Sequence, residues 1–238
     1  IPFITHCSEG FDEETLKSVE TLAAKKALSK QTVLIHGIAF SDRDIEMLAE
    51  HQCNVVWCPV SNLYMFEQTA RVKELMDAGV NVTLGTDSPM SGSFSIFEEL
   101  RTAREFYRFA YGREIDDHLL VDMMTVNAAR AMCLADAGEI SEGKTADLLL
   151  IDGNSTNPWA SLTHADYADI MLVIADGMPR YGDIAFAPVF DAMKIPYETL
   201  LVKGARKILA GDALELQNRV RRAVKYRKEL DFLPIEAA

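Results

Sequence analysis

The chain has 238 residues, of which 49% are hydrophobic and 25% are charged, so it is long enough to bury a core. Its 24 basic and 36 acidic residues give a formal charge of −12, which makes nucleic acid and anionic membranes poor partners. No apolar run approaches the roughly 20 residues of a membrane span. The four cysteines show no paired spacing, which favours reduced thiols and a cytoplasmic protein.

Short apolar runs alternate with helical patterns along the first part of the chain. Helical periodicity is present over residues 13–28, 41–50 and 69–78. Strands are predicted between these helices at residues 2–5, 32–35, 54–57 and 81–84. Each repeat is close in length to the roughly 30 residues of a βα unit, so the pattern predicts an α/β fold with parallel strands covered by helices.

The pattern of predicted elements changes after these four units. Two longer helical patterns occupy residues 96–107 and 117–133, and a β-rich segment begins at Gly138. A last helical pattern, with basic residues on its solvated face, is predicted near the end of the chain. The predicted strands and this helix lie at residues 146–152, 170–175, 180–181 and 212–230.

Each of the four predicted parallel strands ends in a polar side chain. His6 ends the first, His36 ends the second, Ser61 and Asn62 follow the third, and Asp87 ends the fourth. The carboxyl ends of parallel strands meet at one mouth of a βα barrel, where the active sites of such barrels lie. We therefore expect these groups to converge, because packing alone has no reason to produce this pattern.

The residue types at these strand ends favour metal-assisted hydrolysis. Two histidines and an aspartate suit a divalent metal of the zinc type, which lowers the pKa of its water toward ~7. Asp87 is placed to accept a proton from that water. On a continuing strand Glu9 would point away from His6, so it is expected in the loop beyond, from which it can deliver a proton to a leaving group or a ring nitrogen.

Six segments carry a further signal through their order and spacing: HCSE at 6–9, IHG at 35–37, CPVSN at 58–62, GTDS at 85–88, TVNAA at 125–129 and GEISEGKTAD at 138–147. Together they resemble the metal-dependent amidohydrolase superfamily. Within it they are similar to the branch that contains cytosine, guanine and S-adenosylhomocysteine deaminases and triazine hydrolases.

The resemblance implies a role for each residue at the strand ends. His6 would be a metal ligand, Asp87 both a metal ligand and the general base, His36 the group that orients the attacking hydroxide, and Glu9 the proton shuttle. Asn62 would lie beside the pocket, and with Ser88 it is predicted to bind substrate. The implied cofactor is one divalent metal, with zinc favoured over iron or manganese.

The chain also departs from the family pattern. Members of the family begin with sandwich strands and a first barrel strand that ends in His-x-His, and no His-x-His occurs among the five histidines here. The chain therefore resembles the C-terminal portion of an amidohydrolase. Residues 1–137 would form half of a (β/α)8 TIM-like barrel, 138–185 part of a small β-sandwich, and 186–238 a C-terminal helical extension.

A half barrel would leave two strand edges uncovered, which proteins seldom tolerate. We expect either an associated N-terminal portion or another copy of the chain, in a homo-oligomer, to supply the missing strands, unless a piece beginning at Ile1 arose by proteolysis. With two or three metal ligands of its own, the polypeptide alone is expected to bind metal weakly or not at all and to be inactive.

Plainer interpretations exist for each site residue. His6 and Glu9 fit a surface histidine with a solvated acid, His36 a core histidine, and Asp87 or Asn62 a turn or a helix cap. Three functions stay open. A deaminase acting on a small nitrogen heterocycle is favoured because of Glu9, an amide or carbon–halogen hydrolase is the second, and a non-enzymatic half barrel that completes another chain is the third.

Overall fold

The computed structural model describes residues 1–153 and 156–226, together with the backbone of 235–237. The chain divides into two compact units, Ile1–Glu142 and Gly143–Ala238. Among the described residues, each unit is built around one β-sheet. None of the helices in the described part of the chain is long and apolar enough to cross a lipid bilayer.

A four-stranded parallel sheet forms the centre of the first unit. Strand order in the sheet follows strand order in the chain, because helical segments return the chain between successive strands. The strands are β1 Phe3–Cys7, β2 Thr32–His36, β3 Asn54–Trp57 and β4 Asn81–Leu84. All four coincide with the apolar runs that predicted strands, which confirms the α/β class of this unit.

The two central strands are buried on both faces, which is why they read as continuous apolar runs. Val33 and Leu34 of β2 and Trp57 of β3 are at most 1% exposed. β1 is an edge strand, and its residues Phe3 and Ile4 are 47% and 44% exposed. The free edge of β1 therefore carries apolar surface in contact with solvent.

Residues 1–142 also form eight helices. Ser41 and Asp44 make a capping box at the start of the third helix, and Ser95 and Asp116 cap the sixth and seventh. The helices are α1 Glu13–Leu16, α2 Ser18–Ala24, α3 Asp42–Glu50, α4 Pro59–Phe66, α5 Val72–Asp77, α6 Ile96–Tyr111, α7 Asp117–Met124 and α8 Val126–Ala131.

Some helix boundaries differ from the prediction. The helices predicted as single segments at 13–28 and 117–133 are each divided, because the backbone at Lys17 (φ −101°, ψ 8°) and at Thr125 (φ −122°, ψ −94°) leaves helical geometry. The sequence predicts a turn where α4 forms. Pro59 starts this helix at a position where its missing N–H costs no hydrogen bond.

The described residues of the second unit form a six-stranded antiparallel sheet. Its strands are β5 Leu148–Ile151, β6 Ile170–Ala175, β7 Met178–Asp183, β8 Tyr197–Val202, β9 Ala205–Ala210 and β10 Ile235–Ala237. They lie in the order β10-β8-β9-β7-β6-β5. Its helices are α9 Pro158–Thr163, α10 Ala187–Ala192 and α11 Ala213–Val224.

The structure corrects the prediction of a separate helical extension at residues 186–238. β8 and β9 form a hairpin, and β9 pairs with β7, so this segment belongs to the same sheet as the predicted β-rich region. The hairpin turns at Lys203 and Gly204, both with positive φ. The predicted C-terminal helix is present as α11. A second sheet that would make a sandwich is not among the described residues.

A small apolar core holds helix α10 against the second sheet. Phe190 of α10, Leu172 of β6 and Ile208 of β9 are at most 4% exposed and form its centre. The ring of Phe190 meets that of Tyr197 edge-on, with centroids 5.4 Å apart. This packing explains why a segment with little strand signal of its own joins the sheet.

One lysine is buried in this sheet. Lys207 is 1% exposed, and its Nζ donates to the carbonyl oxygens of Ala168 and Ile170 at 2.8 and 2.7 Å and to the carboxylate of Asp183. These three bonds tie β9 to β7 and to the turn that enters β6. They also satisfy a charge that would be costly to bury alone.

Lys207→Met should weaken the second unit, because it leaves the Asp183 carboxylate and two carbonyl groups without their donor. We expect the free energy of unfolding to fall by about 3 kcal/mol. Lys203→Met is the matched control, since Lys203 is 46% exposed where it pairs with Asp166, and such a pair contributes under about 1 kcal/mol. Hydrogen exchange of the β9 amides measures both, and equal losses would contradict the role given to Lys207.

Candidate functional site

The loops that follow β1 and β2 are joined through their backbones. The N–H of Gly37 donates to the carbonyl of Cys7 at 3.0 Å, and that of Ala39 donates to the carbonyl of Ser8 at 3.1 Å. Gly37 has φ +66°, and a Cβ there would lie 2.1 Å from the ring of Phe40, so only glycine fits. These bonds bring the two strand ends side by side.

His36 leaves β2 in a left-handed conformation. The register pairs His6 with Ile35 and Cys7 with His36, so regular alternation would place the His36 ring on the face opposite His6. At φ +77° the backbone of His36 departs from that alternation, and its ring stacks on the ring of His6 with centroids 5.3 Å apart. This conformation is costly for a residue with a side chain, and such residues cluster at functional sites.

Glu9 turns back toward the strand ends. Ser8, with φ +52°, ends the extended course of β1, and Oε1 of Glu9 lies 3.3 Å from Nε2 of His36. The ligand-type atoms of His6, Glu9 and His36 all lie within 4.8 Å of one another. His6 is exposed, the Glu9 side chain is 25% exposed, and that of His36 is 1% exposed. Two imidazoles and one carboxylate therefore share one site.

Asn62 serves His36 and not a substrate, which corrects the expectation from the sequence. Its side chain has no exposed surface, so a substrate has no access to it. Oδ1 of Asn62 lies 2.8 Å from Nδ1 of His36, and its Nδ2 donates to Oγ1 of Thr69 at 3.0 Å. The amide is thus fully used inside the protein. Because α4 begins directly after β3, it carries Asn62 inward beneath the site.

Asp87 follows β4 and also has a left-handed backbone, with φ +56°. Its carboxylate accepts hydrogen bonds from the hydroxyls of Ser61 and of Ser91, the latter at 3.1 Å. Burial alone would raise the pKa of this carboxyl. Hydrogen bonds from Ser61, the Ser88 backbone and Ser91 lower the pKa below its usual value. Asp87 is therefore ionised at neutral pH.

The structure gives less support to the predicted roles of Asp87 as a metal ligand and of Ser88 as a substrate-binding residue. Within the described chain, Asp87 completes no group of three metal-ligand side chains with His6, and its carboxylate faces two serine hydroxyls instead. Ser88 is exposed, and its Oγ accepts a hydrogen bond from the N–H of Met90 at 3.1 Å. The metal-binding role of Asp87 and the substrate-binding role of Ser88 stay predictions.

Glu99 is a buried acid near the site that the sequence prediction missed. It has no exposed surface, and it accepts hydrogen bonds from the N–H of Val60 at 3.1 Å and from the hydroxyl of Ser93 at 2.5 Å. Burial raises the pKa of this carboxyl, and the charges of Glu98 and Asp87 add to the effect. The sequence did contain a signal for this buried acid, because Glu99 lies on the apolar face of α6, one turn before Ala103.

Cys58 lies among the acids of the site and stays protonated. Burial raises the pKa of its thiol, and the charges of Glu99, Asp87 and Glu9 raise it further. Because the thiolate is the reactive form of cysteine, Cys58 is a poor nucleophile.

The model of the amidohydrolase family matches residues 2–182. The chain belongs to the amidohydrolase family.

Among curated proteins, the chain is 38% identical over 164 residues to a 5'-deoxyadenosine deaminase of Methanothrix thermoacetophila, covering 65% of this chain and 39% of that protein. It is 32% identical over 203 residues to an 8-oxoguanine deaminase of Pseudomonas aeruginosa, covering 76% of this chain and 45% of that protein. The chain thus spans less than half the length of these curated relatives.

Among solved structures, a zinc-bound adenosine deaminase from Xanthomonas campestris matches with a TM-score of 0.76 at 23% identity, over 94% of this chain and 50% of that one. Guanine deaminase of E. coli matches with a TM-score of 0.66 at 20% identity, over 74% of this chain and 46% of that one. Likeness at this level of identity shows the fold, which is the α/β fold of the TIM-barrel type.

Glu99→Gln should change how stability depends on pH. Because burial raises the pKa of Glu99 above its usual 4.5, its contribution is complete below that pH and is lost as the pH rises through the folded value. Glutamine keeps an acceptor for Val60 and a polar partner for Ser93, so the variant should gain stability relative to wild type as the pH rises above the usual 4.5.

The control for this variant is Glu105→Gln, which removes the same charge from an exposed position on α6. Urea unfolding at several pH values measures the excess effect of Glu99 over Glu105. An excess that is absent, or that favours wild type at high pH, would contradict the burial argument.

Proposed function

We propose that this chain is the C-terminal half of a metal-dependent deaminase that releases ammonia from a purine-type nitrogen heterocycle. The observation that carries the proposal is the convergence of His6, Glu9 and His36 at the ends of β1 and β2. An ionised Asp87 at the end of β4 adds the proton acceptor that hydrolysis needs. The two curated relatives, named for deamination of 5'-deoxyadenosine and 8-oxoguanine, support this class of substrate.

The remaining barrel strands would come from an N-terminal portion or from another copy of the chain. β1 is an edge of the parallel sheet and exposes Phe3 and Ile4, which is the surface that a further strand would cover. The share of the relatives that the chain covers supports the same proposal. Such strands would also supply the further ligands that a metal held by His6 and Asp87 needs.

The side chains at the site fit a divalent metal of the zinc type. They offer two imidazoles and carboxylates, and Nε2 of His36 is a buried atom without a hydrogen-bond partner in the described chain. His6 and Asp87 would hold the metal. When bound, it would supply a water of lowered pKa. The zinc in the Xanthomonas campestris structure supports the choice of metal.

The residues of the chain would then divide the proton transfers of a hydrolytic deamination. His36 orients the attacking water, and Asp87 accepts its proton as the hydroxyl adds to the amino-bearing carbon. Glu9 donates a proton to the adjacent ring nitrogen, which makes that carbon electrophilic. Asp87 next passes its proton to the departing amine, and the hydroxyl proton returns to Glu9. One water is consumed and one ammonia is released.

Glu9→Gln tests this division of roles in the complete protein, isolated with any polypeptide that accompanies it. Ammonia release from 5'-deoxyadenosine should fall by about 10² or more, because the amide is too weak an acid to transfer a proton to the ring. Glu13→Gln is the control, since Glu13 is 86% exposed beside Lys17. Unchanged ammonia release in Glu9→Gln would remove the shuttle role. Halide release from a chlorotriazine, without ammonia from any heterocycle, would favour a carbon–halogen hydrolase.

Ile4→Pro tests the proposed completion of the barrel. The N–H of Phe3 donates to Gln31 at the β2 side, so alternation directs the N–H of Ile4 to the free edge. Proline there removes a bond to an added strand while keeping the β2 ladder. We expect wild type to sediment above 26.5 kDa, and Ile4→Pro to sediment at that mass with an unchanged circular dichroism spectrum. A folded wild-type monomer would contradict completion by association.

A further inference from the structure

A chain of buried side chains lies behind the ring of His36. Nδ1 of His36 is 2.8 Å from Oδ1 of Asn62, whose Nδ2 donates to Oγ1 of Thr69 at 3.0 Å. The indole N–H of Trp57 donates to the same oxygen at 2.6 Å. Asn62 and Trp57 have no exposed surface, and Thr69 is 8% exposed. Bulk water therefore does not compete for these bonds.

The three supporting residues come from different elements. Trp57 ends β3, Asn62 lies in α4, and Thr69 lies in the loop between α4 and α5. Loops are in general more mobile than strands, but the hydrogen bond from Trp57 in the central strand β3 fixes the Thr69 side chain. The position of the Asn62 amide is thus set by the sheet and not by α4 alone.

The donors and acceptors in this chain have a direction. An indole N–H can only donate, and the amide nitrogen of Asn62 also donates, so Oγ1 of Thr69 accepts from both. The amide oxygen of Asn62 then faces Nδ1 of His36, and an amide oxygen can only accept. Nδ1 must therefore carry the proton in this hydrogen bond.

We propose that Trp57, Thr69 and Asn62 are positioning residues that hold neutral His36 in the tautomer protonated on Nδ1. Nε2 then keeps its lone pair, and it is the buried ring atom that has no hydrogen-bond partner in the described chain. Nε2 of His36 lies 3.3 Å from Oε1 of Glu9. An acceptor at this point can hold a water by one O–H while the water oxygen stays free to attack.

The use of that acceptor in catalysis rests on the proposed function, whereas the tautomer rests on the buried contacts alone. The competing arrangement has the Asn62 amide reversed, with the Thr69 hydroxyl donating to it and the proton of His36 on Nε2. The two arrangements put opposite protonation states on the two ring nitrogens. A measurement of those nitrogens therefore separates them without reference to activity.

Two-bond ¹H–¹⁵N spectroscopy of the full chain reads the tautomer directly, with the His36 signals assigned by their loss in His36→Asn. In wild type we expect a protonated shift at Nδ1 and an unprotonated shift at Nε2 at a pH where the ring is neutral. The reverse pattern in wild type would overturn the proposal, and this outcome needs no variant of the supporting residues.

Variants of Thr69 test whether the chain of bonds causes the tautomer. Thr69→Val removes the acceptor at constant size, so both tautomers should become populated and the two ¹⁵N shifts should converge. Thr69→Ser restores the hydroxyl and should restore the wild-type shifts. Thr32→Val is the matched control, because Thr32 is also buried in this unit and its hydroxyl donates to Ala27 at 2.6 Å. Unchanged His36 shifts in a folded Thr69→Val would overturn the proposal.

Activity gives a second, separate readout. Loss of support for an orienting group should lower kcat about tenfold in Thr69→Val with little change in KM, and Thr69→Ser should recover it. If the wild-type protein releases no ammonia, the proposed function fails while the tautomer result stands. If ammonia is released and Thr69→Val keeps full kcat, the positioning role fails while the proposed function stands.

Discussion

The left-handed backbone at His36 is the constraint on which the rest of the site depends. A regular strand end would direct its ring away from His6, and the positive φ of His36, at the start of the turn through Gly37, reverses that direction. Backbone bonds from this turn to the loop after β1 bring Glu9 within reach of the same ring. Strain at one residue is offset by burial of the imidazole and by its bond to Asn62.

Two buried polar side chains behind the site are held by neighbouring elements. Asn62 in α4 is held from β3 through Thr69, and Glu99 in α6 ties the loop after β4 to the start of α4. Nε2 of His36 is left without a hydrogen-bond partner in the described chain, beside the carboxylate of Glu9. Rigid support behind a ring and an unpaired acceptor on it are what a site that positions a water requires.

The strands and their polar ends were predictable, because buried parallel strands read as apolar runs and the residue after each run is placed by the fold. The orientation of His36 was not, since a positive φ has no signature at a histidine in a single sequence. The role of Asn62 was not predictable either. A proline followed by Ser61 and Asn62 is as typical of a turn as of the start of a helix, and only the structure shows that α4 begins at Pro59. β8 and β9 were missed because their place depends on packing against Phe190 and on the pairing of β9 with β7, neither of which local sequence shows.

The central claim is that His6 and Asp87 close on one metal while Glu9 and His36 face it. Anomalous diffraction at the zinc edge, from crystals of the complete protein grown with zinc, tests this claim most directly. The account predicts one peak about 2.0 to 2.2 Å from an imidazole nitrogen of His6 and from a carboxylate oxygen of Asp87. A peak bound by other residues, or His6 and Asp87 in separate environments with no peak between them, would contradict it.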